Sequence, residues 1–188
     1  MSTIVPMRLL TAEEFALLPS PEDGAQQELV NGVVVTMPPP STYHGLCCNE
    51  IVYHLNVHIR PQKLGHVAIN DGGVLLSRKP DTVRGPDIAY WSRERMPEPP
   101  RKGYAEIVPD LVVEVLSPSD VFLQSLRKVQ QYFRAGVREV WLAVPEDRSV
   151  AVCRPGQEQV ILSNGDTLTG GEVLPGFSSF FIFAYLLV

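Results

Sequence analysis

Cysteine is scarce in this 188-residue chain: two adjacent residues, Cys47 and Cys48, and a distant third, Cys153. That excludes a disulfide framework and a CxxC metal knuckle, and it fits a reducing compartment. Histidine is almost as scarce. His54 and His58 are four apart, but the stretch reads HLNVH and lacks the glutamate of a zinc-protease helix. Long apolar runs are missing too. The most apolar segment, FFIFAYLLV at 180–188, is nine residues, about half a membrane span. A docked strand or helix, or an oligomer contact, is expected there. The opening MSTIVPMRLLTAEEF has no basic start followed by an apolar core and a small-residue cleavage site, so no signal peptide is expected and the cytoplasm is the expected location. Nor is there a surplus of positive charge. The net charge of −5 argues against a chain coated in nucleic acid, though it leaves room for a local basic groove.

What is present suits one domain with a full core: 188 residues, 45% of them hydrophobic, and an ordinary charge content of 20%. Thr11-Ala-Glu-Glu14 predicts a short helix with a capping box, stopped by Pro19. Gln26–Met37 holds two β-prone runs joined by Asn31-Gly32, the signal of a type I′ hairpin. A helix is predicted from Ser41 to about Arg60, stopped by Pro61, with Cys48, Ile51, Val52, Leu55 and Ile59 at helical spacing. Val67–Ile69 and Val74–Leu76, flanking Asp71-Gly-Gly73, read as a second hairpin, and Gly85–Trp91 as a strand with Asp87 at its start. Residues 92–108 read as irregular. Ser149–Cys153 and Gln159–Leu162 read as short antiparallel strands. Strands outnumber helices and two longer helices flank them, so the expected class is α/β, a mixed α+β sheet.

The most informative stretch is Pro109–Trp141. An apolar run, Leu111–Leu116, carries one carboxylate, Glu114, at its centre. Burying that acid costs several kcal/mol unless a cation or donors meet it. A helical segment with Lys128 one turn before Tyr132 follows, and then a second β run, Glu139–Val144. Together they make a βαβ unit with a charge in its core. The helix is expected to bury Phe122, Leu126, Val129 and Phe133, with Lys128 roughly 120° from the centre of that stripe and Tyr132 between.

Glu28, Asp87 and Glu114 all occupy strand contexts. Acids on adjacent strands would converge into an oxygen-rich site for a hard cation, Mg²⁺ or Mn²⁺. A nearby lysine could then hold a water and stabilise charge developing on a phosphate. Plainer readings stay open beside this one. Asp87 could merely start its strand, Glu114 could pair with a buried arginine, Glu28 could be a solvated hairpin residue, and Lys128 could lie on a helix surface. His44 could cap its helix or face the site, and the cysteines could be inert core residues.

Several short pieces run in a consistent order along the chain: Thr11-Ala-Glu-Glu-Phe15, Glu28-Leu-Val-Asn-Gly32, Met37-Pro-Pro with His44, and Pro86-Asp87. Then come Glu114-Val-Leu-Ser-Pro-Ser119, Lys128 with Tyr132, Ala135-Gly-Val, Trp141-Leu and Gly171-Glu-Val-Leu-Pro-Gly-Phe177. With these the chain resembles the Uma-type family of putative restriction endonucleases, within the PD-(D/E)XK nuclease superfamily. The resemblance implies a restriction-endonuclease-like core with additional antiparallel hairpins, and Mg²⁺- or Mn²⁺-dependent hydrolysis of DNA phosphodiesters. It implies Asp87, Glu114 and the Val115 carbonyl as metal ligands, Glu28 as a further acid, and a homodimer. Superfamily members normally carry the lysine two residues after the Glu, where this chain has Leu116; the resemblance places it at Lys128 instead. It also sets Gln124 where many members carry an acid, one turn before that lysine.

Seven basic residues, among them Arg84, Arg93, Arg95 and Lys102, crowd positions 78–102 against four acids. The run could form a phosphate-binding rim or simply be solvated. Two rivals to a nuclease remain: a DNA-binding or assembly protein of the same fold with little or no cleavage, and a metal-dependent phosphoesterase acting on a small substrate.

Overall fold

The computed structural model describes residues 8–69, 72–117, 122–163 and 165–180; Asp71, Asn164 and the expected C-terminal contact segment from 181 onward lie outside them. Among the described residues fifteen elements follow one another. Helix α1 (Ala12–Phe15) precedes the hairpin β1 (Gln26–Val30) and β2 (Val33–Met37), and α2 spans Thr42–Gln62. Strands β3 (Gly65–Ile69), β4 (Val74–Ser77), β5 (Thr82–Arg84), β6 (Ile88–Ser92) and β7 (Leu111–Val115) lead to α3 (Phe122–Ala135). The chain continues through β8 (Glu139–Val144), β9 (Ser149–Cys153), β10 (Val160–Leu162), β11 (Thr167–Thr169) and β12 (Ser178–Phe180).

Local chemistry explains the first elements. The Glu14 N–H donates to the Thr11 hydroxyl, and the Glu14 carboxylate accepts the Thr11 N–H, closing the capping box. Asn31 and Gly32 both adopt positive φ, 50° and 78°, as a type I′ turn requires, so Val30 pairs with Val33. Helix α2 does not stop before Pro61. It takes the proline into its last turn and ends at Gln62, because Lys63 turns left-handed and its N–H, with that of Leu64, satisfies the Arg60 and Ile59 carbonyls.

Three sheets form. One has the order β2-β1-β5-β4, the largest β10-β9-β8-β7-β6-β3, and β11 pairs with β12. The expected second hairpin is not made. Strand β3 pairs with β6 in the six-stranded sheet, while β4 pairs with β5 in the four-stranded one. Gly73, between them, packs so tightly that a Cβ would lie 2.4 Å from the Tyr104 ring. The chain thus changes sheets at the glycines instead of turning back on itself.

In the six-stranded sheet only β7 and β8 run parallel, joined through α3 as the βαβ reading expected. Side chains alternate across it. Leu111, Val113, Val115, Trp141 and Ala143 pack with Ile51, Leu55 and Ile59 of α2, while Val112, Val140 and Leu142 pack with Val129 and Tyr132 of α3. Each large apolar side chain so covered contributes roughly 1.5–3 kcal/mol. Glu114 shares the alternation of Val112 and therefore emerges on the α3 side. Among the described residues no helix is long and apolar enough to cross a membrane.

Candidate active site

Glu114 is 6% exposed and lies opposite Leu142 in the parallel register. Helix α3 supplies both of its partners. Lys128 Nζ donates to Oε2 at 2.8 Å, and the Tyr132 hydroxyl donates to Oε1 at 2.6 Å. The two donors are four apart and so share a helix face. Ser125, Val129 and Tyr132 are the buried residues of that helix, with Leu126 and Phe133 only half-buried; the Phe122 side chain lies outside the described part. The inward face is therefore rotated from the expected stripe toward Tyr132, and Lys128 flanks it directly. Leu116, where the strand lysine would stand, packs against the same apolar cluster. The ammonium thus reaches Glu114 from the helix and not from the strand.

Glu28 enters from the other sheet. It is 2% exposed, pairs with Arg84, accepts the Gly85 N–H at Oε1 (2.9 Å), and lies 3.4 Å from Lys128 Nζ. Gln131 of α3 in turn accepts from Arg84 Nε at 3.0 Å. Lys128 therefore links the acids of two sheets. Burial pushes the Glu114 carboxyl up to about 7, with Asp87 and Glu28 adding to the effect against the opposing Lys128. Burial would raise Glu28 as well, but Lys128 and Arg84 hold it below the usual carboxylate range. Burial works against the Lys128 ammonium, yet Glu114 and Glu28 keep it charged above its ordinary range. The cluster holds its cation firmly.

Asp87 sits just before β6. Ile88 pairs with Val113, so one further step of the same register sets Asp87 opposite Glu114. Its Oδ2 accepts the Val115 N–H at 2.7 Å and faces His44 Nε2 at 3.2 Å. His44 Nδ1 lies 3.6 Å from Cys48 Sγ. Hydrogen bonding to Asp87, and then to Cys48, raises the His44 imidazole to about 10. A cleft of about 630 Å³, lined in part by Glu28, Gly85 and Asp87, opens onto this group.

The donor set fits a divalent cation. Asp87 Oδ1 has no hydrogen-bond partner among the described residues although its side chain is only 16% exposed, and Glu114 stands across the strand pair from it. Asp87, Glu114, Glu28, Lys128, Tyr132 and His44 are brought together, with Val115 joined through its N–H. Of the basic run only Arg84 adjoins the group, and it is committed to Glu28 and Gln131. Arg95 ties down the far end of the sheet through Asp110, the Pro109 carbonyl and the Gly136 carbonyl. Arg93, beside it, stands six residues along from Asp87, roughly 20 Å at strand spacing. Lys102 lines a separate cavity with Glu13 and Arg78. Gln124 is exposed and makes no hydrogen bond to Lys128.

His54 and His58 do not face one another over an ion: they hold Ser179 and the Pro175 carbonyl, pinning the later chain onto α2. Gln131 and Cys48 were not singled out for the site from the sequence. The i, i+4 spacing of His44 and Cys48 was a signal for the second of them.

Residues 12–185 match the family model Uma2, described as putative restriction endonuclease. Among solved structures the chain is similar to a putative nuclease of the DUF820 family from Anabaena variabilis, with 23% identity over 95% of this chain and 99% of that one, and a TM-score of 0.78. That likeness establishes the fold, the restriction-endonuclease-like mixed sheet flanked by helices. No curated protein matches.

Proposed function

The chain belongs to the Uma2 family, and from that premise together with the geometry of its buried acids we propose that it is a divalent-cation-dependent endonuclease acting on DNA. The observation that carries the proposal is Lys128, whose ammonium stands 2.8 Å from Glu114 and 3.4 Å from Glu28 beside the strand-start Asp87. This supports reading the group as the acid-and-lysine set of the nuclease motif, with its lysine delivered by α3 in place of the strand.

Asp87 and Glu114 would hold Mg²⁺ or Mn²⁺, with the Val115 carbonyl as a further oxygen. Such an ion polarises the scissile phosphate and lowers the pKa of a bound water. Lys128 orients the attacking water and opposes the negative charge that builds on the phosphoryl oxygens during in-line displacement. Tyr132 fixes the Glu114 carboxylate so that its geometry survives proton exchange. Glu28 and Arg84 hold Lys128 and the β5–β6 link in place.

The test is cleavage of duplex DNA by wild type and by Asp87→Ala, Glu114→Ala and Lys128→Ala, each checked for native circular dichroism. Cleavage should require Mg²⁺ or Mn²⁺ and fall at least about 100-fold in each variant. Equal cleavage by the variants, or none by wild type with either ion, defeats the proposal. One observation favours a second reading, a DNA-binding or assembly protein of this fold: both Glu114 oxygens already accept hydrogen bonds from α3. Salt-sensitive DNA binding without any cleavage would select it.

A further inference from the structure

The first turns of α2 bring two more donor atoms to Asp87. Ser41 caps the helix and accepts the His44 N–H at 3.1 Å, fixing the backbone from which the imidazole projects. His44 and Cys48 stand one turn apart. A ring nitrogen of His44, Cys48 Sγ and a carboxylate oxygen of Asp87 all lie within 4.8 Å of one another. The His44 side chain is 11% exposed, and Cys48 is 4% exposed.

The two ring nitrogens have different neighbours. Nε2 faces Asp87 Oδ2 at 3.2 Å, and Nδ1 faces Cys48 Sγ at 3.6 Å. One ion cannot take both nitrogens. Nε2 is the nitrogen that faces the Asp87 carboxylate, and an ion bound there would take the place of its proton and of its contact with Oδ2. The thiol on Nδ1 then plays the part that a carboxylate or carbonyl usually plays for a metal-bound histidine, setting the tautomer and the ring's orientation. Asp87 Oδ1 has no hydrogen-bond partner among the described residues, so the carboxylate can serve the ion while Oδ2 keeps the Val115 N–H.

Ligand type decides which ion such a site prefers. Mg²⁺ takes oxygen donors almost exclusively and gives up its waters reluctantly. Imidazole nitrogen raises affinity for first-row transition ions, and among those suited to carboxylate sites Mn²⁺ accepts it. We infer that His44 is a nitrogen ligand to the cation held at Asp87, positioned by Cys48, and that it makes the site selective for Mn²⁺ over Mg²⁺. The inference rests on the metal role proposed above for Asp87, and extends it to a residue on a different element.

Binding measurements without DNA test it. Mn²⁺ binding is followed by loss of the free-ion electron paramagnetic resonance signal, and Mg²⁺ binding by calorimetry. Wild type, His44→Gln, Cys48→Ala and Asp87→Asn are compared. Wild type should bind Mn²⁺ at least about tenfold more tightly than Mg²⁺. His44→Gln should lose about tenfold or more in Mn²⁺ affinity with Mg²⁺ affinity within about twofold, and Cys48→Ala should show a smaller loss of the same kind. Electron spin-echo modulation of bound Mn²⁺ should carry the ¹⁴N coupling of a directly bound imidazole. Absence of that coupling in wild type overturns the inference even if His44→Gln does not fold. So does equal loss of both ions in His44→Gln. Asp87→Asn separates the two levels of the argument. If it loses both ions while His44→Gln loses neither, only the nitrogen ligand is wrong; if Asp87→Asn binds both as wild type does, the metal role of Asp87 itself fails.

Discussion

Glu114 is an acid that the fold keeps dry, and its titration follows from that. Its carboxyl is pushed from an ordinary 4.5 up to about 7, so between those values the folded chain holds a proton that the unfolded chain has released. Stability must therefore fall as pH rises across that window, by up to about 3 kcal/mol. Glu114→Gln, which mimics the neutral acid, should match wild type near pH 5 and exceed it near pH 8 in chelator, read as urea midpoints. Parallel pH profiles for the two proteins would refute this. Tyr132 contributes through one bond to the same acid. Tyr132→Phe removes the donor to Oε1 and leaves a buried carboxylate oxygen unpaired, which should cost about 1–3 kcal/mol near pH 8 in the same measurement.

At the scale of elements, the sequence was most legible where one local rule governs. The capping box at Thr11 and the Asn31-Gly32 turn formed as expected, as did the parallel pair β7–β8 around α3. It was least legible where pairing is long-range. Nothing in Val67–Leu76 says that β3 joins β6 and β4 joins β5, because a strand's alternation gives its face and not its partner. That pairing is tight at Gly65, where a Cβ would come 2.0 Å from the Trp91 carbonyl oxygen. Gly65→Ala should destabilise the fold by about 1–3 kcal/mol, seen as a lower thermal midpoint, since backbone must move to admit it. Glu28 and Arg84 pair within the four-stranded sheet and tie it to α3 through Lys128 and Gln131. Arg84→Met leaves Glu28 buried beside only Lys128 and the Gly85 N–H, at a cost of about 3 kcal/mol in urea unfolding. Adding Glu28→Gln to Arg84→Met should recover a large part of that loss.

Across the whole molecule, the candidate site lies where separate layers meet. Glu28 comes from the four-stranded sheet, Glu114 from the six-stranded one, Asp87 from the link between them, Lys128 from α3 and His44 from α2. The acids were visible in the sequence because a carboxylate inside an apolar run is anomalous wherever it falls. Lys128 stood out only through family resemblance, since a lysine on an amphipathic helix is ordinary until the rotation of that helix is known. The basic run at 78–102 illustrates the opposite limit: density along the chain does not survive folding. Arg84 turned inward, Arg95 anchors the far end of the sheet, and Lys102 faces another cavity.

A metal-dependent nuclease built on these converging acids and Lys128 must lose and regain activity with its ion. The experiment is to strip purified protein with chelator, restore Mn²⁺ or Mg²⁺, and follow single-turnover cleavage of duplex DNA by wild type and Asp87→Asn. Wild type should be inert when stripped and recover with the ion, while Asp87→Asn stays inert under both ions. Cleavage by stripped wild type, or by Asp87→Asn at the wild-type rate, would contradict the account.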